Sequence, residues 1–165
     1  MLFRSVTFYK GVEQLPAFDD YSMNGRTYRY FKGEALYGFG FGLSYSKFQY
    51  AAARAQRTPT GAQVSVRVKN DSTRDGDEVV QVYASAGDGA IRNLRAFERI
   101  HLRAGETREV TLHFDPRALS SVDEKGERSI LAGKYELTLA GAQPDEAKAK
   151  SETTFTVTGN QPLSR

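Results

Sequence analysis

Cysteine is absent from this 165-residue chain, which excludes a disulfide framework, a thiolate nucleophile and a cysteine metal site, and leaves the redox compartment unmarked. Tryptophan is absent too, so the aromatic mass rests on nine Tyr and ten Phe. Only two histidines occur, His101 and His113, and neither has a second ligand at metal spacing. No apolar run approaches the ~20 residues of a membrane-spanning helix, so no membrane is expected as a partner. Positive charge is in slight excess: 23 Lys and Arg against 20 Asp and Glu give +3, without a basic block, and nucleic acid is not expected either. Met1 to Val6 lack the apolar core and cleavage site of a signal peptide, so the chain is expected to be intracellular or to lack its true N-terminus.

What the chain does contain is unevenly distributed. Fourteen of its nineteen aromatic residues fall in the first fifty positions, many interleaved with glycine, as in Tyr37-Gly38-Phe39-Gly40-Phe41-Gly42. Large rings dominate cores and interfaces, whereas glycine weakens regular elements. A segment of this kind needs a surface to lie on. With Gly11, Pro16, Gly25 and Gly33 punctuating the same stretch, residues 1–43 read as an extended arm, in which Thr27 to Phe31 is predicted to pair as a short strand.

From residue 44 to 159 the pattern changes to short alternating segments separated by turn chemistry, which predicts an all-β antiparallel sandwich of about seven strands, immunoglobulin or fibronectin type III-like. Tyr45 to Ala53 opens the first sheet, and Arg57 to Gly61 turns the chain. Val64, Val66 and Val68 alternate with Ser65, Arg67 and Lys69 as a half-buried strand. Val80, Val82 and Ala84 alternate with Val79, Gln81 and Tyr83, leaving few polar positions, so this strand is predicted to be central. Leu94 to Arg103 and Thr107 to Phe114 follow, then one helical turn with Asp115 as cap and Pro116 at its first position. Ser121 to Glu124 and Arg128 to Leu131 form a small hairpin or an irregular loop around Gly126. Strands around Tyr135 to Leu139 and Thr153 to Thr158 complete the sandwich, and residues 160–165 are predicted to be a loose tail.

Few constellations carry chemistry. Asp71, Thr73, Asp75 and Gly76 sit near positions 1, 3, 5 and 6 of an EF-hand loop, but the closing ligand would be Val82, so a turn held by local side-chain bonds is expected instead of a metal site. His101 and His113 alternate with inward-facing Ile100, Leu102, Leu112 and Phe114, and are predicted to face solvent. The chain has no Gly-x-Ser-x-Gly elbow, and its glycine run lacks the spacing and context of a phosphate cradle. Asp19-Asp20, Asp77-Glu78 and Asp123-Glu124 are adjacent in sequence, and neighbouring side chains on a strand point to opposite faces, so none is expected to form a converging catalytic pair. No catalytic residue, cofactor or metal is assigned.

The aromatic run also carries a resemblance. Gly25-Arg26-Thr27-Tyr28-Arg29-Tyr30-Phe31 followed by Leu36 to Tyr45 resembles the approach to the C-terminal domain of glycoside hydrolase family 3 enzymes, the β-glucosidases and β-xylosidases. Arg74 to Tyr83, Leu94 to Ile100, Ala104-Gly105-Glu106 and Ala132 to Tyr135 resemble their fibronectin type III-like domain. Val6 to Lys10 and Leu15 to Met23 are similar to the segment leaving the preceding α/β domain, especially in xylosidase-like members. The resemblance implies a parent with a retaining mechanism, an Asp nucleophile in its first domain and a Glu acid/base usually in its second. Neither domain is in this chain, and no catalytic residue of the family maps onto it. A nucleophile motif containing tryptophan cannot occur where tryptophan is absent.

The resemblance therefore implies a C-terminal structural module that braces the catalytic domains of its parent in cis and is inactive alone. Tyr28, Tyr30, Phe31, Tyr37, Phe39, Phe41 and Tyr45 are the candidate interdomain contacts. A carbohydrate-binding module using exposed tyrosines is the alternative. The resemblance places the parent in the periplasm or outside the cell. The arm is expected either to fold back on its own sandwich or to stay mobile and drive self-association.

Overall fold

The computed structural model describes residues 6–58, 61–86 and 93–164. Seven main strands build two facing sheets. β1 (Phe48–Thr58), β2 (Gly61–Asn70) and β5 (Thr107–Phe114) form one sheet in the order β1-β2-β5. The other runs β4-β3-β8-β9, from β3 (Gly76–Ala86), β4 (Asn93–Leu102), β8 (Gly133–Ala140) and β9 (Lys150–Val157). All neighbours are antiparallel.

The core follows from the alternation. Val64, Val66 and Val68 of β2 face Val80, Val82 and Ala84 of β3 across a buried layer that includes Leu102, Leu112, Leu137 and Leu139. Each such aliphatic side chain contributes about 1.5–3 kcal/mol by leaving water. Tyr135 and Phe155, directly opposite across β8 and β9, stack with centroids 5.2 Å apart, a cross-strand pair of the kind that fixes register. As its apolar pattern predicts, β3 is central, paired with β4 on one side and β8 on the other.

β1 runs five residues further than the expected Ala53, to Thr58. It does so by absorbing a bulge: the register with β2 shifts between Ala51 and Arg54, and Ala52 takes a left-handed φ of 54°. Beyond it, the Ala53 N–H donates to Ser151 Oγ of β9 at 3.1 Å, linking the two sheets along one side. Gly61 opens β2 at φ 133°, where a Cβ would come within 2.0 Å of the Phe114 carbonyl oxygen, so no other residue fits. Pro59 and Thr60 of the expected turn lie outside the described residues.

The helical turn after β5 has the expected cap. Asp115 Oδ1 accepts from the Ala118 N–H at 3.0 Å, and Pro116 begins the turn Pro116–Leu119, which buries Leu119 at one end of the core. Of the two readings around Gly126, the hairpin is realised: β6 (Ser121–Val122) pairs with β7 (Arg128–Ile130). Asp123 Oδ1 accepts from Lys125 and Glu127 to hold its turn. The tail is not loose. β10 (Gln161–Pro162) adds a third strand beside β7, and Leu163 packs on the core while its N–H donates to the Arg128 carbonyl at 2.9 Å. Leu163 is the apolar anchor in an otherwise polar end, which explains the difference.

The arm folds back onto the sandwich, the first of the two expected outcomes, but not as an added strand. Thr27–Tyr30 is one helical turn, α1, closed by the Phe31 N–H donating to the Thr27 carbonyl at 3.0 Å. Pairing needs a sheet edge, and Tyr28 instead meets Tyr83 on β3, whose backbone is already paired on both sides. The arm also doubles on itself through an antiparallel bridge between Phe8 and Tyr37.

Candidate functional site

The seven aromatic residues singled out in the sequence divide into three groups. Tyr28 and Phe39 turn toward the sandwich, stacked on each other with centroids 4.4 Å apart and planes 22° apart. Tyr28 meets the Tyr83 ring edge-on at 6.3 Å, and its hydroxyl accepts from the Leu94 N–H at 3.3 Å. Thr27 supplies the sharp entry with φ 58°, an uncommon conformation for a β-branched residue. Phe39 is clamped by its backbone: its N–H donates to Gln143 Oε1 at 3.2 Å, and its carbonyl accepts from the Gln143 N–H at 2.9 Å. Gly40 then passes over Gln81 at φ 82°, where a Cβ would lie 2.8 Å from Gln81 Nε2 and 3.2 Å from the Ala142 backbone.

The receiving surface is the outer face of β3. Tyr83 is 1% exposed and donates to Gln81 Oε1 at 2.6 Å, and Gln81 Nε2 donates to the Gly141 carbonyl at 2.9 Å. Tyr83, Gln81 and Gln143 were not foreseen as site residues. Their signal was there, since Gln81 and Tyr83 occupy the face of a central strand that the core does not use.

A second group faces outward. Phe8, Tyr37 and Phe41 form a ladder with ring centroids 5.8 Å and 4.7 Å apart, and the three are 53%, 45% and 53% exposed. Phe8, missed as a site residue, is therefore one of its rungs. Tyr45 stands apart, 90% exposed, with the Arg74 guanidinium 5.7 Å from its ring centre.

Tyr30 and Phe31 make up the third group. With Tyr28, Tyr37, Tyr83 and Glu146 they help line a cavity of about 830 Å³ between arm and sandwich. Phe31 meets Tyr9 edge-on at 5.1 Å, Arg29 lies over Tyr30, and Lys10 pairs with Glu34 at 2.6 Å to brace the arm. Four of the seven thus form the seat and the ladder, Tyr30 and Phe31 border the cavity beside them, and Tyr45 is separate.

Comparison with known proteins gives this geometry its context. A fibronectin type III-like domain model matches residues 78–143. A xylan 1,4-beta-xylosidase of Xylanibacter ruminicola is 39% identical over 157 residues, taking in 92% of this chain and 18% of that protein. Among solved structures, beta-glucosidase 3B of Thermotoga neapolitana, in complex with alpha-D-glucose, superimposes with a TM-score of 0.73 at 32% identity, covering 84% of this chain and 19% of that one. The GH3 beta-glucosidase of Bifidobacterium adolescentis does so at 0.66 and 32%, covering 77% and 20%. The chain belongs to the fibronectin type III-like domains of family 3 glycoside hydrolases. It spans about a fifth of the length of these relatives. The domain model begins in β3, whereas the xylosidase similarity takes in most of the arm as well, so arm and fibronectin type III-like sandwich go together in that relative.

Elsewhere on this fibronectin type III-like domain the polar groups serve the fold. In the loop after β2, Asn70 Oδ1 accepts from the Ser72 N–H at 3.1 Å, the local bonding expected of a turn, whereas Asp75 Oδ1 accepts from the Ala104 N–H of the β4–β5 turn at 2.9 Å. Among the described residues, no three His, Asp or Glu side chains group as metal ligands, and no helix is long and apolar enough to cross a membrane. Both histidines are exposed.

Asp77 and Glu78 point to opposite faces, as adjacent strand residues must. Asp77 is outside, with His101 Nδ1 2.6 Å from its Oδ1 and Arg99 Nε 3.1 Å from its Oδ2, and these two bonds hold its carboxyl below its usual range. Glu78 points inward beside Tyr50. Burial pushes its carboxyl up, against the opposing pull of the Val79 N–H at 2.8 Å and of the Tyr50 hydroxyl. Burial, with the Glu78 charge beside it, drives the Tyr50 hydroxyl up as well.

Proposed function

We propose that this chain is the C-terminal accessory module of a retaining exo-β-glucosidase or β-xylosidase of family 3, and that it braces the catalytic domains by packing the outer face of its arm against them. The supporting observation is where the exposed apolar residues lie. Among the described residues, eleven of the sixteen large hydrophobic side chains left exposed fall in the arm, from Val6 to Leu43, and a twelfth, Tyr45, directly follows it. Monomeric proteins rarely present contiguous apolar patches of that kind unless a partner covers them. The arm is not loosely attached while it does so: Tyr28, Phe39 and Gly40 hold it on β3, so the Phe8, Tyr37 and Phe41 ladder is presented on a fixed base. Preorganisation of this sort lowers the ordering cost of association.

The module contributes no acid, base or nucleophile on this reading. A retaining glycosidase needs two carboxyl groups about 5–5.5 Å apart across a sugar cleft, and the parent's other domains supply them. The purified chain is expected to release no nitrophenol from aryl β-glucosides or β-xylosides. Added to the Xylanibacter ruminicola relative from which the matching stretch has been removed, it is expected to raise that enzyme's melting temperature and restore activity. No effect at saturating concentration would overturn the bracing role.

A further inference from the structure

Asn24 and Gly25 lie in the arm just ahead of α1, at a tight turn. The Arg26 N–H donates to the Met23 carbonyl at 3.1 Å and closes four residues, of which the third, Gly25, takes φ 69°, a conformation that favours glycine. Asn24 is exposed, and among the described residues its side-chain amide makes no hydrogen bond. The Gly25 N–H makes none either, and a side chain built on Gly25 would meet nothing within 4 Å. Exposed turns held by so few bonds open easily, and an asparagine amide left free beside a glycine nitrogen is chemically labile. The nitrogen attacks Asn24 Cγ, ammonia leaves, and a five-membered imide closes. Water then opens the ring. Opening at the Asn24 main-chain carbonyl leaves an isoaspartyl link, in which the main chain runs through Cγ, and opening at Cγ leaves aspartate.

Comparable positions among the described residues are restrained. At Asp75-Gly76, Asp75 Oδ1 accepts from the Ala104 N–H at 2.9 Å, and Gly76 is paired in β3 with Ser46 Oγ 2.5 Å from where a Cβ would sit. Asn70 is fully buried with its amide bonded, and Asn160 Oδ1 accepts from the Ala132 N–H at 2.8 Å. Asn93 and Asn160 are followed by Leu94 and Gln161, whose side chains crowd the attacking nitrogen. The turn at Asn24 also carries weight in the arm. The Gly25 carbonyl accepts from the Tyr9 hydroxyl at 3.2 Å, and Arg26, whose side chain donates to the Ser22 and Asp20 carbonyls, is the residue from which α1 starts. Thr27 at φ 58° follows, then Tyr28, which seats the arm on Tyr83. An isoaspartyl link lengthens the main chain of the turn by one carbon and puts a carboxylate on it, so the Met23–Arg26 and Tyr9–Gly25 bonds no longer close together.

We propose that Asn24 is a modification site, at which the Gly25 nitrogen displaces ammonia and water completes the conversion to isoaspartate, and that the altered turn unseats Tyr28 and loosens the arm. The net change consumes one water and releases one ammonia, with nothing oxidised or reduced. The site does not depend on the bracing role.

The test ages the purified chain in mildly alkaline buffer below its melting temperature and maps its peptides by mass. The mass gain of an amide turned into an acid is expected in the peptide carrying Asn24, before any appears at Asn93 or Asn160. A protein isoaspartate methyltransferase should then transfer a methyl group from S-adenosylmethionine to that same peptide. In the modified fraction, separated by ion exchange, amide exchange should quicken in residues 27–41 and stay unchanged in β2. Asn24→Gln, whose longer side chain closes an imide poorly, should keep its mass and its slow exchange over the same period. Freshly purified Asn24→Asp, which carries the charge without the added main-chain carbon, should exchange like the parent chain. An unchanged mass at residue 24, or a product that accepts no methyl group, would overturn the modification site. A modified fraction that exchanges like the parent, or an Asn24→Asp variant that exchanges as fast as the modified fraction, would overturn the loosening by the lengthened turn.

Discussion

Tyr28 and Phe39, eleven positions apart in an arm without a strand of its own, stack at 4.4 Å and together cover the Tyr83 side of the central strand. That contact turns a glycine-rich segment into a fixed surface. Replacing Tyr28 with Ala removes the stack, the edge contact with Tyr83 and the acceptor for the Leu94 N–H, so the arm should open locally while the core stays closed. Amide exchange is expected to quicken in residues 27–41 and to stay unchanged in β2. Tyr28→Phe, which keeps both ring contacts, should lie close to the parent chain. Equal exchange in Tyr28→Ala and the parent would mean that the arm is held elsewhere.

Asn70 ends β2 fully buried, donating from Nδ2 to the Arg74 carbonyl at 2.9 Å and the Leu102 carbonyl at 3.2 Å, and accepting from Ser72. Asn70→Ala leaves those groups unbonded in the interior and is expected to cost about 2–3 kcal/mol. Urea unfolding gives the value directly. A loss below about 0.5 kcal/mol would mean that water replaces the amide.

Ala52 holds a left-handed φ of 54° at the β1 bulge. That conformation costs a non-glycine residue roughly 1–2 kcal/mol, partly offset in a glycine variant by the greater freedom of its unfolded chain. Ala52→Gly should therefore stabilise the domain by about 0.5–1 kcal/mol, read as a rise in melting temperature.

Two neighbouring carboxyls should respond to pH with opposite signs. Glu78 is raised above its ordinary 4.5 by burial, so its folded form binds the proton more tightly than the unfolded chain does. The stability it contributes is complete below that value and is lost as pH rises through the folded pKa. Glu78→Gln should melt higher than the parent at pH 7, with the gap closing below 4.5. Asp77 is lowered from 3.8 by His101 and Arg99, so its contribution is present above that value and is lost as pH falls through the folded pKa. Asp77→Asn should melt lower at neutral pH and converge with the parent in acid. The same sign for both variants would contradict the inside and outside placement of the pair.

The sandwich is legible in the sequence because each strand carries its own evidence. Val64, Val66 and Val68 alternate without interruption, and Asp115-Pro116 has both parts of a helix start. The arm is legible only in composition. Thr27 to Phe31 has the residues of a strand, yet its conformation is set by contacts with Tyr83 and Leu94, more than fifty positions away, and no local pattern encodes those. Leu163 shows the same limit on a smaller scale, since one apolar residue among polar neighbours does not announce that β7 is waiting for it. For the seven aromatic candidates, the sequence marks the stretch that carries them but cannot separate Tyr28 and Phe39, which hold the arm, from Tyr37 and Phe41, which face outward.

The bracing role predicts that the outward ladder loses water when the chain meets its partner, and the most direct measurement is the heat capacity change on binding. Titration calorimetry of the chain into the Xylanibacter ruminicola relative lacking its matching stretch, at several temperatures, should give saturable binding with a clearly negative heat capacity change, the robust mark of apolar burial. The Tyr37→Ser, Phe41→Ser double variant, which removes two rungs of the ladder and leaves the Tyr28–Phe39 seat in place, should lose most of that change and bind more weakly. Binding with the same heat capacity change in parent and variant, or no binding at all, would contradict the account.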